Sequence, residues 1–304
     1  MASARRPPLR RFIQDPLEAL PVFLLLGLAR LLPVERASAL GGWLAGTLGP
    51  RIAGLKRRAD RGLLLAFPEM PAAERDAIAA KMWDNFGRLL FEYPHLPRIT
   101  TPARGHIEVI GEENIQRLLD DGQPAIMFGG HLGNFEIVPR YCASRGLRLN
   151  IFARGPNNAI LDHALKRWRG AARMFDRGFS SGMQAAHALR AGGYVAQLID
   201  QRYDSGVAVP FFGVPAKCNP AMARTALHLK LPVIPCRTQR LGGARFRLTA
   251  EPPLPLPDSG DREADVAALT AAMTARIEAW VRDDPGQWFW LHRRWPKSHY
   301  ARKT

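Results

Sequence analysis

Residues 124–136 read PAIMFGGHLGNFE, and this segment indicates most clearly how the chain folds. An apolar run ends at Phe128, two glycines follow, and a more polar stretch then carries His131, Asn134 and Glu136. A short apolar run predicts a buried strand, and the paired glycines predict a tight turn. The segment therefore predicts a strand, a turn and the start of a helix, with His131 displayed on the turn.

His131 and Glu136 are five residues apart, and this spacing limits how they can meet. In one continuous helix, such residues are rotated by roughly 140° and do not face each other. The pair therefore requires His131 on the turn and a helix that begins near Asn134, a good N-cap residue. Glu136 then lies in the first helical turn, where it is predicted to accept Nδ1–H of His131 and leave Nε2 as a general base. The alternative is a loop histidine beside a surface glutamate.

The rest of the chain alternates helical and strand-like patterns. Apolar residues recur at helical spacing, with charges between them, over residues 72–93, which predicts an amphipathic helix. Strand-like runs lie at 106–110, 124–128, 148–153, 194–199, 232–236 and 245–249. Helical patterns lie at 113–120, 134–145, 157–169, 181–191, 219–230 and 263–283. This alternation predicts an α/β layered fold with a mixed, mostly parallel central sheet flanked by helices.

Composition excludes some classes of protein and favours others. The chain has 304 residues, of which 47% are hydrophobic, so it is not a disordered chain. Its 43 Lys and Arg residues against 27 Asp and Glu give a net charge of +16, which predicts an anionic partner: nucleic acid, acidic lipid or an acidic protein. Cys142, Cys218 and Cys236 form no Cys-x-x-Cys pair and predict neither a disulfide framework nor a zinc site.

The N-terminal region, residues 1–56, is predicted to anchor the protein to a membrane. Residues 19–29 read ALPVFLLLGLA, but Arg30 and Glu35 interrupt the run before it reaches the length of a transmembrane helix. A second apolar stretch follows, and arginines flank both stretches. Equal basic flanks favour a hairpin or an in-plane anchor over a single crossing. A buried core helix and a cleaved signal peptide are the alternatives. The predicted catalytic domain covers residues 57–304.

Two further predicted strands end in polar residues, and these residues are expected to lie in the same cleft as His131. Arg154 follows one strand, and an arginine there can stabilise an oxyanion or bind a phosphate. Asp200 and Gln201 end another strand, and residues 209–213 after them are predicted to form an exposed apolar loop suited to lining an acyl channel. A solvated loop arginine and an aspartate that only caps a turn are the alternatives.

The C-terminal residues 288–295, WFWLHRRW, alternate aromatic and basic side chains. Such a segment can bind nucleic acid by stacking and phosphate contact, or it can lie at a membrane interface. Packing of the aromatic rings beneath the sheet is the third possibility, and the sequence leaves all three open.

Residues 131–136, HLGNFE, resemble the His-x4-Asp/Glu motif of glycerolipid-type acyltransferases, in the form typical of the lipid A biosynthesis late acyltransferases, which include lauroyl- and myristoyl-type enzymes. Further matches occur in the family's order at residues 65–69, at Arg154, Asn157 and Asn158, at Asp200 and Gln201, at residues 211–213 and at residues 285–295. The resemblance covers about residues 15–296, which is essentially the whole chain.

This resemblance implies a glycerolipid-acyltransferase-like fold and direct acyl transfer to a hydroxyl of a lipid A precursor, without metal or cofactor. His131 is implied to be the general base and Glu136 its carboxylate partner, with Gly133 and Asn134 supporting the motif. Oxyanion or substrate contacts are implied for Arg154, Asn157, Asp200 and Gln201. The implied donor is acyl carrier protein or acyl-CoA, and the implied location is the cytoplasmic face of the inner membrane.

Basic residues are predicted to meet the anionic partners, which are the carrier protein, an anionic glycolipid acceptor and the membrane. Contacts to the carrier or to acidic headgroups are assigned to Lys166, Arg167, Arg169, Arg173 and Arg177. Contacts to glycolipid phosphates are assigned to Arg237, Arg240, Arg245, Arg247, Arg293 and Arg294. A generally solvated basic surface is the alternative for each cluster. For the whole chain, the alternatives are an acyltransferase of the same fold with another glycolipid or aminolipid acceptor, and a basic nucleic-acid-binding protein.

Overall fold

The computed structural model describes residues 8–147, 149–153, 155, 158–169, 174–175 and 181–301. Within this part of the chain, a helical N-terminal region precedes alternating strands and helices. The helices are α1 (Pro8–Leu31), α2 (Val34–Leu48), α3 (Ala53–Ala66), α4 (Ala72–Glu92), α5 (Leu96–Ile99), α6 (Glu112–Asp121), α7 (Ile137–Ser144), α8 (Ala159–Arg169), α9 (Ser181–Arg190), α10 (Ala221–Leu229) and α11 (Arg262–Asp283). The strands are β1 (Ile107–Ile110), β2 (Ala125–Gly129), β3 (Leu149–Phe152), β4 (Met174–Phe175), β5 (Tyr194–Leu198), β6 (Val207–Phe211), β7 (Val214–Cys218), β8 (Val233–Gly242) and β9 (Arg245–Ala250).

The central sheet has seven strands in the order β1-β9-β8-β2-β5-β3-β4. Every neighbouring pair is parallel except β8 and β9, which are antiparallel. The predicted mixed, mostly parallel sheet is therefore confirmed, and each strand and helix expected from the sequence is present near its predicted position. Strand β2 lies in the middle of the sheet and delivers the residues that follow it, including His131, to the carboxyl edge of the parallel strands.

Both faces of the sheet are covered, which explains why β2 is apolar at every position. Ile126 and Phe128 pack into a core with α11 and the C-terminal tryptophans. Ala125 and Met127 point to the opposite face and pack into a second core with α7 and β9. A strand buried on two faces loses the alternation that a half-exposed strand would show.

Residues 209–213 do not form the exposed apolar loop expected from the sequence. They belong to a two-stranded hairpin of β6 and β7, in which Val209, Phe211 and Phe212 are buried. The backbone N–H of Phe212 donates to Oε2 of Glu278 at 2.6 Å, which fixes the hairpin tip against α11. The expectation was wrong because the apolar residues of this stretch alternate towards the core.

The N-terminal helices are joined to the body of the protein through α4 and the β8–β9 turn. Helix α2 packs closely along α4, and a Cβ on Gly41 or Gly87 would collide with the other helix's backbone. Oε2 of Glu35 in α2 accepts the backbone N–H of Ala244 at 2.8 Å. Over the described residues, no helix combines the length and apolarity needed to cross a bilayer. The division at residue 56 and the membrane anchor remain predictions.

The glycine contact between α2 and α4 yields a stability prediction. Gly87→Ala places a methyl group against the backbone of Gly41, and forced overpacking of this kind destabilises a protein by about 1–3 kcal/mol. Gly46→Ala is the matched control, because no atom lies within 4 Å of its added Cβ and alanine favours the helix by about 0.5–1 kcal/mol. Urea unfolding should show a loss for the first variant and a gain for the second. Equal midpoints for the two variants would contradict the close packing of these helices.

Candidate active site

The turn after β2 is shaped by a glycine and by its contact with β8. Gly133 has a φ of +55°, a conformation that side chains other than glycine rarely adopt. A Cβ at this position would also collide with the carbonyl oxygen of Thr238. The backbone N–H of Gly133 donates to the carbonyl oxygen of Gln287 at 3.0 Å. The turn that carries His131 therefore packs against β8 on one side. On the other side it is hydrogen-bonded to the C-terminal segment, residues 285–295.

Asp200 is the carboxylate that contacts His131. It follows β5, the parallel neighbour of β2, and is only 1% exposed. Its Oδ1 lies 2.7 Å from Nδ1 of His131, and its Oδ2 accepts the backbone N–H of His131, also at 2.7 Å. Two hydrogen bonds from one carboxylate thus fix both the ring and the backbone of His131.

The C-terminal segment completes this arrangement. Nε1 of Trp288 donates to Oδ2 of Asp200 at 2.7 Å, and the backbone N–H of Phe289 donates to the carbonyl oxygen of His131 at 3.0 Å. An isolated antiparallel bridge also joins Leu132 to Trp288. The carboxylate of Asp200 is consequently shared between the base and the segment that covers it.

The charge state of Asp200 determines which nitrogen of His131 carries the proton. Burial by itself raises the pKa of Asp200, but the charge and hydrogen bonds of His131 outweigh it and hold the pKa of this carboxyl well below its usual range. An ionised carboxylate only accepts hydrogen bonds, so Nδ1 of neutral His131 is the donor. Nε2 of His131 then keeps its lone pair. The amide nitrogen of Gln201 lies 3.4 Å from this Nε2.

Glu136 does not contact Nδ1 of His131, so the predicted partner of the histidine is wrong. The Glu136 carboxylate instead accepts both Nε–H and an Nη2–H of Arg169, and the Tyr93 hydroxyl donates to its Oε1 at 2.7 Å. The physical reason is that Asp200 reaches Nδ1 from the neighbouring strand, while Glu136 faces α8. A catalytic role for Glu136 itself is not decided by this geometry and stays a prediction.

Helix α7 begins at Ile137, three residues later than predicted. Phe135 and Glu136 form a turn in which Oδ1 of Asn134 accepts the backbone N–H of Glu136 at 3.2 Å. The later start suits Pro139, because a proline in the first turn of a helix has no intrahelical hydrogen bond to lose. Asn134 is therefore a capping residue of this turn, as its type suggests, although the helix proper starts beyond it.

A buried polar network supports the turn from below. Glu92 has no exposed surface, and its Oε2 accepts an Nδ2–H of Asn134 at 2.8 Å. Arg240 of β8 forms a salt bridge with the same carboxylate, and its Nε donates to Oδ1 of Asn85 at 2.9 Å. The Nδ2 group of Asn85 donates in turn to the carbonyl oxygen of Gly133 at 3.1 Å. Helix α4 and strand β8 are thereby tied to the motif residues Gly133 and Asn134.

A cavity of about 370 Å³ opens beside His131. It lies between α7 and the sheet face that carries Met127, Ala196 and Cys236, and its wall is mostly apolar. Polar groups on its wall include His131, Glu136, Arg169, Gln201 and Thr238. His131 thus lies next to a space suited to an apolar chain.

Several predicted binding residues have internal roles instead. Arg169 pairs with Glu136, Arg240 with Glu92, Arg237 with Asp283 and Arg247 with Glu108. Arg294 is 1% exposed and donates to the carbonyl oxygen of Lys217 and to Sγ of Cys218. The assignment of Arg169, Arg237, Arg240 and Arg294 to anionic ligands is therefore wrong. Arg154, Asn157, Arg173 and Arg177 lie outside the described residues, and Arg167, Arg245 and Arg293 are exposed.

The C-terminal aromatic residues are packed in the core, which is the third of the possibilities raised by the sequence. Trp288, Trp290 and Trp295 are each no more than 1% exposed. They are therefore not available to stack on bases, which removes the main structural argument for nucleic-acid binding. The ring of His292 lies beside this cluster, with its centroid 5.4 Å from that of His131. Burial lowers the pKa of His292 to about 4, so this ring is neutral at pH 7.

Sequence reasoning missed the groups that hold the site together. Trp288 was noted only as an aromatic residue, and nothing local to it indicates a hydrogen bond to Asp200. Tyr93 and Glu92 lie at the end of a helix that reads as amphipathic, where a charged residue is expected to face solvent. The sequence contains one signal for the contact between Asp200 and His131. Each residue comes soon after a predicted strand, and the carboxyl ends of parallel strands meet at one edge of a sheet.

Comparisons with known proteins identify the family of the chain. The family model described as bacterial lipid A biosynthesis acyltransferase matches residues 14–297. The lipid A biosynthesis lauroyltransferase of Escherichia coli K12 is 29% identical over 260 residues, which cover 79% of each chain. A lipid A biosynthesis acyltransferase of Haemophilus influenzae is 26% identical, covering 86% of this chain and 84% of the relative. The lipid A biosynthesis myristoyltransferase of E. coli K12 is 25% identical over 82% of this chain and 77% of the relative.

A family match over nearly the whole chain, together with a histidine beside an apolar cavity, leads to one conclusion: the chain belongs to the bacterial lipid A biosynthesis acyltransferase family and is an acyltransferase.

Proposed function

We propose that this enzyme transfers a fatty acyl group from an acyl thioester to a hydroxyl of a lipid A precursor at a membrane surface. One observation carries the proposal: His131, oriented by buried Asp200, lies on the wall of an apolar cavity. Family membership supports lipid A as the acceptor, and the names of the relatives, a lauroyltransferase and a myristoyltransferase, support a saturated fatty chain as the cargo.

The proposed reaction needs no covalent intermediate on the enzyme. Nε2 of His131 takes the proton of the acceptor hydroxyl, and the oxygen attacks the thioester carbonyl carbon. The tetrahedral intermediate collapses with cleavage of the C–S bond, and the imidazolium returns its proton to the departing thiolate. Ionised Asp200 stabilises the imidazolium between these two steps, the role that the third member plays in hydrolase triads.

The cavity is the proposed binding site for the acyl chain. Its apolar lining on the sheet side includes Met127, Ile151, Ala196 and Leu198, and Val138 of α7 lies opposite. An acyl chain placed there removes its apolar surface from water and directs the thioester to the end occupied by His131. The neutralised pair of Glu136 and Arg169 forms part of the same wall.

Acyl carrier protein is the proposed carrier of the donor. The net charge of +16 favours an acidic protein partner, and Arg167 is exposed and available for such contacts. Arg245 and Arg293 are also exposed, and their proposed partners are the phosphates of the glycolipid acceptor. Acyl-CoA is a second thioester of the same chemistry, and a direct comparison of the two donors decides between them.

Membrane attachment at the cytoplasmic face of the inner membrane is proposed from the surface of α1. One face of this helix carries apolar residues at helical spacing that are all more than half exposed: Ile13, Leu17, Leu20, Leu24, Leu28 and Leu31. Trp43, Leu48 and Ile52 add to this exposed apolar surface. A stripe of this size is unfavourable in water and suits a helix that lies in the plane of a membrane interface.

The function is tested by the mass of the product. We expect the purified full-length protein, given saturated acyl thioesters on carrier protein or CoA, to add one acyl group to a lipid A precursor with a free acyl-chain hydroxyl. His131→Ala should abolish the mass gain because it removes the base, and a cooperative unfolding transition of the variant shows that it is folded. A wild-type protein that acylates no such precursor with any donor would contradict the proposed acceptor.

The two carboxylates are separated by the activities of their variants. Asp200→Asn should lower kcat by on the order of 10³-fold or more, because it removes the charge that orients the ring of His131 and stabilises the imidazolium. Glu136→Gln should lower kcat less, because it removes the counter-ion of Arg169 but leaves the hydrogen bonds between Asp200 and His131 intact. The rates can be compared from pH 5 to pH 9 without interference from His292, whose pKa is lowered to about 4 by burial. A larger loss of kcat in the Glu136 variant than in the Asp200 variant would reverse the assignment.

The membrane proposal is tested by flotation with vesicles of anionic phospholipid. The full chain should float with the vesicles, and a variant carrying Leu20→Ser, Leu24→Ser and Leu28→Ser should remain largely at the bottom of the gradient. Leu241→Ser is the matched control, since it removes an exposed leucine at a distance in sequence from α1. Undiminished flotation of the triple variant would show that α1 is not the attachment surface.

A further inference from the structure

Thr238 presents a buried hydroxyl that has no hydrogen-bond partner among the described residues. The residue is 3% exposed and lies in the interior part of β8. Its Oγ1 is enclosed, yet no donor or acceptor of the described chain reaches it. Burying a hydroxyl without a partner is costly, so the group requires an explanation, and a bound ligand that accepts its hydrogen bond is one.

The side chain of Thr238 faces the cavity. Ile234, Cys236 and Thr238 alternate along β8 and share one face of the sheet, and the last two line the cavity beside His131. Strand β8 is parallel to β2, with Phe128 opposite Pro235. The same register extended by three residues places Thr238 beside His131, and the carbonyl oxygen of Thr238 is indeed packed against Gly133 of the turn.

Other polar groups at this end of the cavity are already engaged. Nδ1 of His131 is held by Asp200, and Glu136 and Arg169 form a salt bridge with each other. The hydroxyl of Thr238 differs from them because no described group is its hydrogen-bond partner, so rotation about χ1 can turn Oγ1 into the cavity without breaking a hydrogen bond.

We propose that Thr238 is a catalytic residue whose hydroxyl donates a hydrogen bond to the carbonyl oxygen of the bound acyl thioester. This inference rests on the proposed acyl transfer and adds the donor that the reaction requires. The acceptor oxygen activated by His131 must lie about 3–3.5 Å from the carbonyl carbon, which brings the carbonyl group to the end of the cavity where Thr238 lies. As attack proceeds, negative charge develops on the carbonyl oxygen, and a fixed donor in a water-poor cavity stabilises that charge.

Kinetics of two variants test this role. Thr238→Val keeps the shape of the side chain and removes the hydroxyl, so kcat should fall about 100-fold while KM changes little, as for loss of one oxyanion donor. Thr238→Ser keeps the hydroxyl and should recover most of the wild-type kcat. A valine variant with at least half of the wild-type kcat would overturn the proposal, as would a serine variant as slow as the valine variant. Both comparisons require wild-type transfer, so an inactive wild-type enzyme counts against the proposed function and not against Thr238.

Infrared spectroscopy provides a readout that does not depend on turnover. In a His131→Ala background, which cannot transfer the chain, the carbonyl stretch of a ¹³C-labelled acyl-CoA should lie at lower frequency when Thr238 is present than in Thr238→Val. Thr238→Ala replaces the valine variant if the latter fails to fold. Identical frequencies with and without the hydroxyl would show that Thr238 does not contact the carbonyl group.

Discussion

The carboxylate of Asp200 is the group on which the site depends. It is buried at the end of β5 and receives hydrogen bonds from the backbone N–H of His131, from the indole of Trp288 and from the His131 ring. Through these three hydrogen bonds, a single carboxylate joins β5, the turn after β2 and the C-terminal segment that contains Trp288. Without the carboxylate, the ring of His131 would lose the acceptor that fixes its orientation and keeps its proton on Nδ1. Trp288 would also bury an indole N–H without a hydrogen-bond partner.

A second constraint holds the turn from the opposite side. The buried pair of Glu92 and Arg240 binds Asn134 directly and reaches Gly133 through Asn85. Replacing both members of such a buried ion pair with apolar residues often changes the stability of a protein little. Removing only one member destabilises it, because an uncompensated charge stays buried. Their effect here is geometric, because they fix the motif relative to α4 and β8. The HLGNFE segment thus combines His131 with residues that hold it in place.

Much of the fold follows from the sequence because its elements are locally consistent. The apolar run before Gly129, the helical spacing of residues 72–93 and the strand-like runs all predict elements that the structure contains. The hairpin of β6 and β7 was missed because Pro210 and Pro215 lie within its strands and argue against a sheet. The late start of α7 was also missed, although Pro139 was a signal for it.

The site was predicted less completely, for a reason that lies in topology. A spacing argument finds only neighbours along the chain, and so it paired His131 with Glu136. The actual partner, Asp200, becomes a neighbour only because β5 lies beside β2 in the sheet, and strand order is not readable from local patterns. Arg169, at the end of α8, and Trp288, beyond α11, also reach the site only through tertiary packing. By contrast, Gly133 and Asn134 act within the local turn, through a positive φ and through a hydrogen bond to Glu136, and such short-range roles are the ones that a sequence pattern can indicate.

The central claim, that Asp200 and not Glu136 orients His131, is tested most directly by NMR of protein labelled with ¹⁵N in the histidine rings. The neutral ring of His131 should carry its proton on Nδ1, and that signal should be lost or shifted in Asp200→Asn and unchanged in Glu136→Gln. A ring protonated on Nε2, or an Nδ1 proton that responds to Glu136→Gln and not to Asp200→Asn, would contradict the account.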